Sequence, residues 1–181
     1  MREIQEKQVR VNEMSRKLPP RIVEDYTMSE LKGPVKLSEL FGDRRDLIVI
    51  HNMGKRCPYC TLWADGLNGV IQHLENRAGL ALVSPDPPDV QREFADSRGW
   101  RFRMISDDSS FTEDLGFKEV KGDGKASYGP GFSTFWRNDD GSIARIASAW
   151  FGPGDVYAPI WHIFGILKNS AGGWEPKFSY D

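Results

Sequence analysis

Asp46-Leu47-Ile48-Val49-Ile50-His51-Asn52-Met53-Gly54-Lys55-Arg56-Cys57-Pro58-Tyr59-Cys60 runs from a short apolar segment into the chain's only two cysteines. The Leu-Ile-Val-Ile run has the β-branched, non-alternating character of a strand buried on both faces, which points to a parallel sheet. It ends at Asn52, five residues before Cys57. Beyond the cysteines, Trp63, Leu67, Val70, Ile71 and Leu74 recur at helical spacing and mark one inward face. Pro58 suits the first helical position, which leaves Cys57 at the N-cap and Cys60 one turn deeper. Gly66 and Gly69 each cost about 1 kcal/mol inside a helix, so a kink or break is expected there.

The same alternation continues downstream. Leu80 to Ser84 reads as a second strand, Pro87 to Arg98 as a helix with Val90 and Phe94 inward, and Arg101 to Ser106 as a third strand. Phe111 to Phe117 reads as a short helix and residues 121 to 131 as a glycine-rich loop. Phe132 to Arg137 and Ser142 to Trp150, joined by Asn138-Asp139-Asp140-Gly141, form a hairpin, and Ile160 to Lys168 a last helix. Upstream, residues 1 to 20 read as a polar helical extension ending at Pro19-Pro20, and residues 21 to 45 as an irregular lead-in with a short helix near Leu37 to Phe41. Strands separated by helices give an α/β domain over residues 21 to 181. Its expected core is a parallel sheet with helices on both faces, made mixed by the antiparallel hairpin.

Size and composition agree. A chain of 181 residues with six Trp, five Tyr and ten Phe can bury roughly 70% of its unfolded surface, so one domain with its own core is expected. The longest apolar stretch, Ile160 to Leu167, is far shorter than the roughly 20 residues of a membrane span. Arg, Glu and Lys pepper the first 20 residues without an apolar segment, so no secretory signal is visible and a cytoplasmic setting is expected. A net charge of −2 supplies no bulk attraction for nucleic acid or an anionic membrane.

Three readings of the cysteine pair compete. A structural disulfide would close a four-residue loop and contribute only about 2 kcal/mol, and a reducing cytoplasm would not preserve it. A metal site needs further ligands; His73 lacks a zinc-finger partner, since Arg77, Ala78 and Gly79 follow it, and only His51 or His162 could complete the set through tertiary proximity. A reversible dithiol needs just this short spacing, because one thiol must attack the mixed disulfide formed by the other. Lys55, Arg56 and the helix dipole would favour a Cys57 thiolate, making Cys57 the nucleophile and Cys60 the resolving thiol.

Strand, Cys57-Pro58-Tyr59-Cys60 at a helix start and a closing hairpin-plus-helix resemble the thioredoxin fold, with the Pro-Tyr dipeptide of glutaredoxins. Glu24-Asp25-Tyr26, Leu37-Ser38-Glu39-Leu40-Phe41, His51-Asn52-Met53, Trp63-Ala64-Asp65 and Arg98-Gly99-Trp100 resemble an uncharacterised bacterial family of thioredoxin-like proteins, known only as a domain of unknown function. The resemblance spans residues 20 to 165 and implies the fold more than a substrate. Thioredoxins place a buried acid six residues before the first cysteine; His51 holds that place, either as proton acceptor for Cys60 or as a hydrogen-bonded strand-end residue. Pro130 precedes the hairpin roughly where such folds carry a substrate-facing cis-proline; Phe132 competes for that position, and an ordinary loop proline is the plain alternative.

Two more residues have paired readings. Asp65 either orients a proton near the dithiol or belongs to a solvated helix face. Tyr59 is expected at the exposed tip of the motif, where it would touch a partner. Peroxiredoxins carry Pro and Thr or Ser seven and three residues before their reactive cysteine, and Ile50 and Gly54 stand there instead. The Thr-Val-Pro glutathione contact of glutaredoxins is not evident, Gly122-Asp123-Gly124 lacks the setting of a phosphate loop, and no nucleophile elbow is present. The expected function is thiol-disulfide exchange without a bound cofactor, between a protein or small-molecule disulfide and an unidentified electron donor. A non-catalytic binding module and a metal site are the alternatives.

Overall fold

A computed structural model describes residues 2–180; Met1 and Asp181, the outer bounds of the expected extension and domain, lie outside them. The apolar run forms strand β4 (Asp46–His51), preceded by α1 (Arg2–Lys17), β1 (Arg21–Val23), β2 (Thr27–Glu30), β3 (Gly33–Lys36) and a 3-10 helix (Leu37–Phe41). After it come α2 (Pro58–Gly69), α3 (Ile71–Arg77), β5 (Gly79–Ser84), α4 (Pro88–Arg98), β6 (Arg103–Ser106) and α5 (Phe111–Asp114). The chain continues through β7 (Lys118–Val120), β8 (Ala126–Tyr128), β9 (Gly131–Arg137), β10 (Ile143–Trp150) and α6 (Ile160–Gly165).

One sheet of eight strands, ordered β1-β10-β9-β4-β5-β6-β2-β3, carries the fold. β4, β5 and β6 are parallel, and β9 joins β4 antiparallel with Gly131 opposite His51. The β9-β10 hairpin turns where expected and carries a bulge between Arg145 and Ala147. Side chains alternate across the sheet and bury two layers. Leu47, Val49, Ala81 and Val83 pack with Phe41, Phe111, Phe117 and Phe135 on one face. Ile50, Leu80 and Leu82 pack with Trp63, Ala64, Ile71 and Ala95 on the other. α2, α3 and α4 cover the second face, the 3-10 helix and α5 the first.

Three expectations change. The lead-in 21–45 is not irregular: β1 extends the sheet beyond β10, and the β2-β3 hairpin extends it beyond β6. The two edge strands, β1 and β3, have three and four residues and carry Arg21 and Lys36, a short, charged build that resists pairing with other chains. Pro34 fits there because an edge strand need not donate from every residue. Part of the expected glycine-rich loop is the β7-β8 hairpin, closed by Lys121 and Lys125 around Gly124 at φ +78°. In α4 the buried positions are Gln91 and Ala95, with Val90 and Phe94 only half-buried. The helix after the cysteines does break at Gly69, where Val70 departs from helical geometry before α3 begins. No helix among the described residues is long and apolar enough to cross a membrane, and α1 buries none of its side chains.

Candidate active site

β4 delivers the dithiol. Asn52 continues the parallel ladder with its N–H on the Val83 carbonyl (2.9 Å), then turns the chain by accepting the Gly54 N–H on its own side chain (2.8 Å). Gly54 sits at φ +99°, a region that disfavours other residues. Its carbonyl accepts the Cys57 N–H at 3.1 Å, and Cys57 then caps α2. The Cys57 sulfur accepts the Cys60 N–H at 3.0 Å, the place a serine or aspartate oxygen takes in other helices. Pro58, with no N–H to satisfy, occupies the first turn.

The two sulfurs differ sharply in environment. Cys57 is half-buried, Cys60 fully so. Hydrogen bonding from the Cys60 thiol, helped by the Cys60 and Tyr59 N–H groups and opposed by partial burial, lowers Cys57 to about 7. Cys60 moves the other way, held protonated by its bond to Cys57 and by burial, against a smaller opposing contribution from the Met53 N–H. The two shifts run in opposite directions. The Lys55 and Arg56 side chains, expected with the helix dipole to favour the thiolate, are both exposed.

The proton-acceptor reading of His51 does not hold. Its side chain lies on the sheet face opposite α2, stacked on Phe117 with ring centroids 3.9 Å apart. Nε2 and the Ser133 hydroxyl are 3.0 Å apart and Nδ1 has no partner, so neither nitrogen meets a sulfur. Burial, reinforced by Arg145, pushes its pKa from 6.5 down to about 3, so the ring stays neutral at any pH where a thiol reacts. Strand alternation is the reason: odd positions of β4 face away from the helix, and the bond with Ser133 matches the strand-end reading. The unfolded chain takes up this proton near pH 6.5 and the folded one not until about 3, so stability is lost as pH falls between them. Relative to His51→Gln, the wild type should lose about 2 kcal/mol from pH 7 to pH 5, read from urea midpoints. A difference unchanged with pH would show that the ring takes up its proton normally.

The remaining candidates separate. Asp65 is drawn to the end of α4, accepting from Trp100 Nε1 at 2.7 Å and from Arg98 on both oxygens, so it joins α2 to α4. Tyr59 is half-buried, not exposed, because its ring stacks on Trp161 with centroids 6.3 Å apart. Trp63 is core, 2% exposed and packed on Phe151. Pro130 immediately precedes β9 at the sheet end where β4 meets the dithiol loop, and no peptide bond among the described residues is cis, as in the ordinary loop-proline alternative. Its carbonyl already accepts the Phe151 N–H at 2.9 Å. His162 is exposed on α6, and no group of three or more His, Cys, Asp or Glu side chains gathers among the described residues to hold a metal ion.

Sequence reasoning missed Asp86, whose carboxylate accepts the Lys55 N–H at 2.6 Å beside the cysteine loop. A signal existed. Ser84-Pro85-Asp86-Pro87-Pro88 directly follows a parallel strand, and sites in such sheets gather at the carboxyl ends of strands.

A model of a bacterial protein family of unknown function, DUF899, matches residues 2–173. The chain belongs to this family. For this DUF899 protein the match reaches further toward both termini than the 20–165 of the sequence resemblance and takes in α1. Among solved structures it resembles the peroxidoxin BcpB from Mycobacterium tuberculosis, with 21% identity over 72% of this chain and 84% of that one and a TM-score of 0.56. Reduced Prx3 from Vibrio vulnificus in complex with hydrogen peroxide matches at 19% identity over 75% and 86%, TM-score 0.57. A hypothetical protein from Sinorhizobium meliloti matches at 16% over 88% and 87%, TM-score 0.54. These likenesses establish the fold: the DUF899 protein has the thioredoxin-like α/β architecture, with a mixed central sheet and helices on both faces. No curated protein matches its sequence.

Proposed function

We propose that this DUF899 protein is a thiol-disulfide oxidoreductase. One observation carries the reading: the Cys57 sulfur caps α2 and takes the Cys60 N–H at 3.0 Å, beside a buried, protonated Cys60. The Cys57 thiolate attacks one sulfur of a disulfide R–S–S–R′, forming Cys57–S–S–R and expelling R′–S⁻. That thiolate takes the Cys60 proton. The Cys60 sulfur then attacks Cys57, forming the internal disulfide and releasing R–S⁻, which is protonated from water. Two electrons pass from the protein to the substrate, and an external thiol donor returns them. Cys57 is the nucleophile and Cys60 the resolving thiol; no bound cofactor takes part.

Poising the protein in glutathione buffers, with metal analysis of the same sample, tests this reading. A midpoint between about −120 and −270 mV is expected, the range of known exchangers. Thiols that never oxidise would leave a binding module, and stoichiometric zinc would leave a metal site; either result refutes exchange.

A peroxide is the second substrate class, favoured by the fold shared with the peroxide-bound Prx3 structure. Cys57 would displace ROH from ROOH to give a sulfenic acid, which Cys60 would close to the disulfide with loss of water. Against it, the buried Ile50 and Gly54 occupy the places of the peroxiredoxin proline and hydroxyl residue. Peroxide oxidation of Cys57 no faster than that of free cysteine would remove this class.

A further inference from the structure

We propose that Asp86 is the positioning residue of the dithiol: its carboxylate, braced from the sheet, holds the Met53–Arg56 turn and so fixes Cys57 as the cap of α2. The proposal rests on the redox reading of Cys57 and Cys60 for its purpose, and on hydrogen-bond geometry for its substance.

The bracing comes first. Asp86 lies just past β5, between Pro85 and Pro87, whose rings restrict the backbone on either side of it. Its carbonyl accepts from the Ser106 hydroxyl at 2.7 Å and from Gln91 Nε2 at 2.6 Å, and its N–H reaches the Ser84 hydroxyl at 3.3 Å. Gln91 is 2% exposed, and its amide nitrogen also reaches the Ser84 and Ile105 carbonyls. β5, β6 and α4 therefore all hold this residue.

The carboxylate spends that rigidity on the cysteine loop. Oδ2 accepts the Lys55 N–H at 2.6 Å, a short bond of the charge-assisted kind. It also lies against Gly54, where an added Cβ would stand 2.9 Å from Oδ2. On its other side the turn is held by the Asn52 side chain on the Gly54 N–H. Clamped from β4 and β5, the turn directs the Gly54 carbonyl to the Cys57 N–H. Cys57 is thereby set as the cap of α2, with its sulfur turned to the Cys60 N–H. The Lys55 side chain forms no ion pair with Asp86, so the contact is to backbone, and Asp86 acts on the sulfurs only through the turn.

The test uses the full chain. Asp86→Asn keeps a carbonyl oxygen as acceptor, and Asp86→Ala removes it. Cys57 is titrated by thiolate absorbance, and its rate with iodoacetamide is measured at pH 7. Asp86→Ala should raise the Cys57 pKa by about one unit and slow alkylation at pH 7 about fivefold, while Asp86→Asn stays within about twofold of wild type. Wild-type behaviour in a folded Asp86→Ala protein overturns the proposal. So does a lower Cys57 pKa with faster alkylation in both variants, which would mean that the carboxylate's charge acts directly on the thiolate. Should Asp86→Ala not fold, amide exchange in the wild type decides. The Lys55 N–H should exchange at least about tenfold slower than an unstructured amide, and an unprotected Lys55 N–H overturns the proposal. Alkylation requires no disulfide substrate, so these outcomes are read even if the dithiol never exchanges in glutathione buffer.

Discussion

Cys57→Ser is expected to lower the rate of disulfide reduction by at least about 10³-fold while leaving the protein folded. The prediction separates chemistry from architecture. Cys57 does two jobs, as nucleophile and as cap of α2 through its sulfur. Serine is among the best N-caps, so the substituted oxygen can take the Cys60 N–H in place of sulfur, and the melting temperature should hold or rise. The serine hydroxyl, however, does not ionise near neutral pH and does not attack a disulfide. Cys60→Ser should keep the first step and lose the second. Mixed with a disulfide substrate, it should accumulate a covalent Cys57 adduct, visible as an added mass that dithiothreitol removes. Cys60→Ala should move Cys57 from about 7 toward the ordinary thiol range, because the Cys60 thiol is the largest cause of the lowering. Full exchange activity in Cys57→Ser would overturn the assignment of the nucleophile.

Phe117→Ala is expected to destabilise the fold by about 3 to 5 kcal/mol, with a melting temperature lower by about 10 °C. Phe117 is 1% exposed and central to the sheet face opposite α2. His51 stacks on its ring, the Trp150 ring centroid lies 4.7 Å away, and the Arg145 guanidinium sits 5.9 Å over it. Gly131 has no room for a Cβ, which would lie 2.6 Å from the Phe117 ring and 2.3 Å from the Ala149 carbonyl. Removing the ring empties a space that the β9-β10 hairpin cannot close by a small shift, so the cavity cost adds to the lost burial. The loss approaches the whole stability of a marginal domain. A shift in urea midpoint worth under 1 kcal/mol at unchanged slope would contradict this packing.

How much was legible differs from residue to residue. β4 was readable because a run of four β-branched or aliphatic residues has few homes other than a doubly covered strand. The cap at Cys57 was readable because Pro58 after a polar residue marks a helix start by local sterics alone. The short strands β1, β2 and β3 were not, because three or four residues are too few to carry a periodic signal and become strands only when a neighbouring strand receives them. Gln91 was passed over in favour of Val90 and Phe94, since composition ranks an amide as exposed. It is buried because three backbone carbonyls, of Ser84, Asp86 and Ile105, wait for its nitrogen. Of the two readings of His51, the hydrogen-bonded strand-end residue is the one its contact with Ser133 matches, and Asp65 is taken by Arg98 and Trp100, which lie more than thirty positions along the chain.

By itself, the sequence determined an α/β chain with a parallel core, a cysteine pair at a helix start and the roles open to each thiol. Those properties follow from local sterics, periodicity and spacing, which act within a few residues. Tertiary structure alone decided which groups attend the sulfurs. It turned His51 away, tied Asp65 and Tyr59 to neighbouring elements, and brought Asp86 from the end of β5 to the turn before Cys57. Hydrogen bonds and burial act over a few ångströms of space whatever the distance along the chain, and only the folded sheet sets those distances.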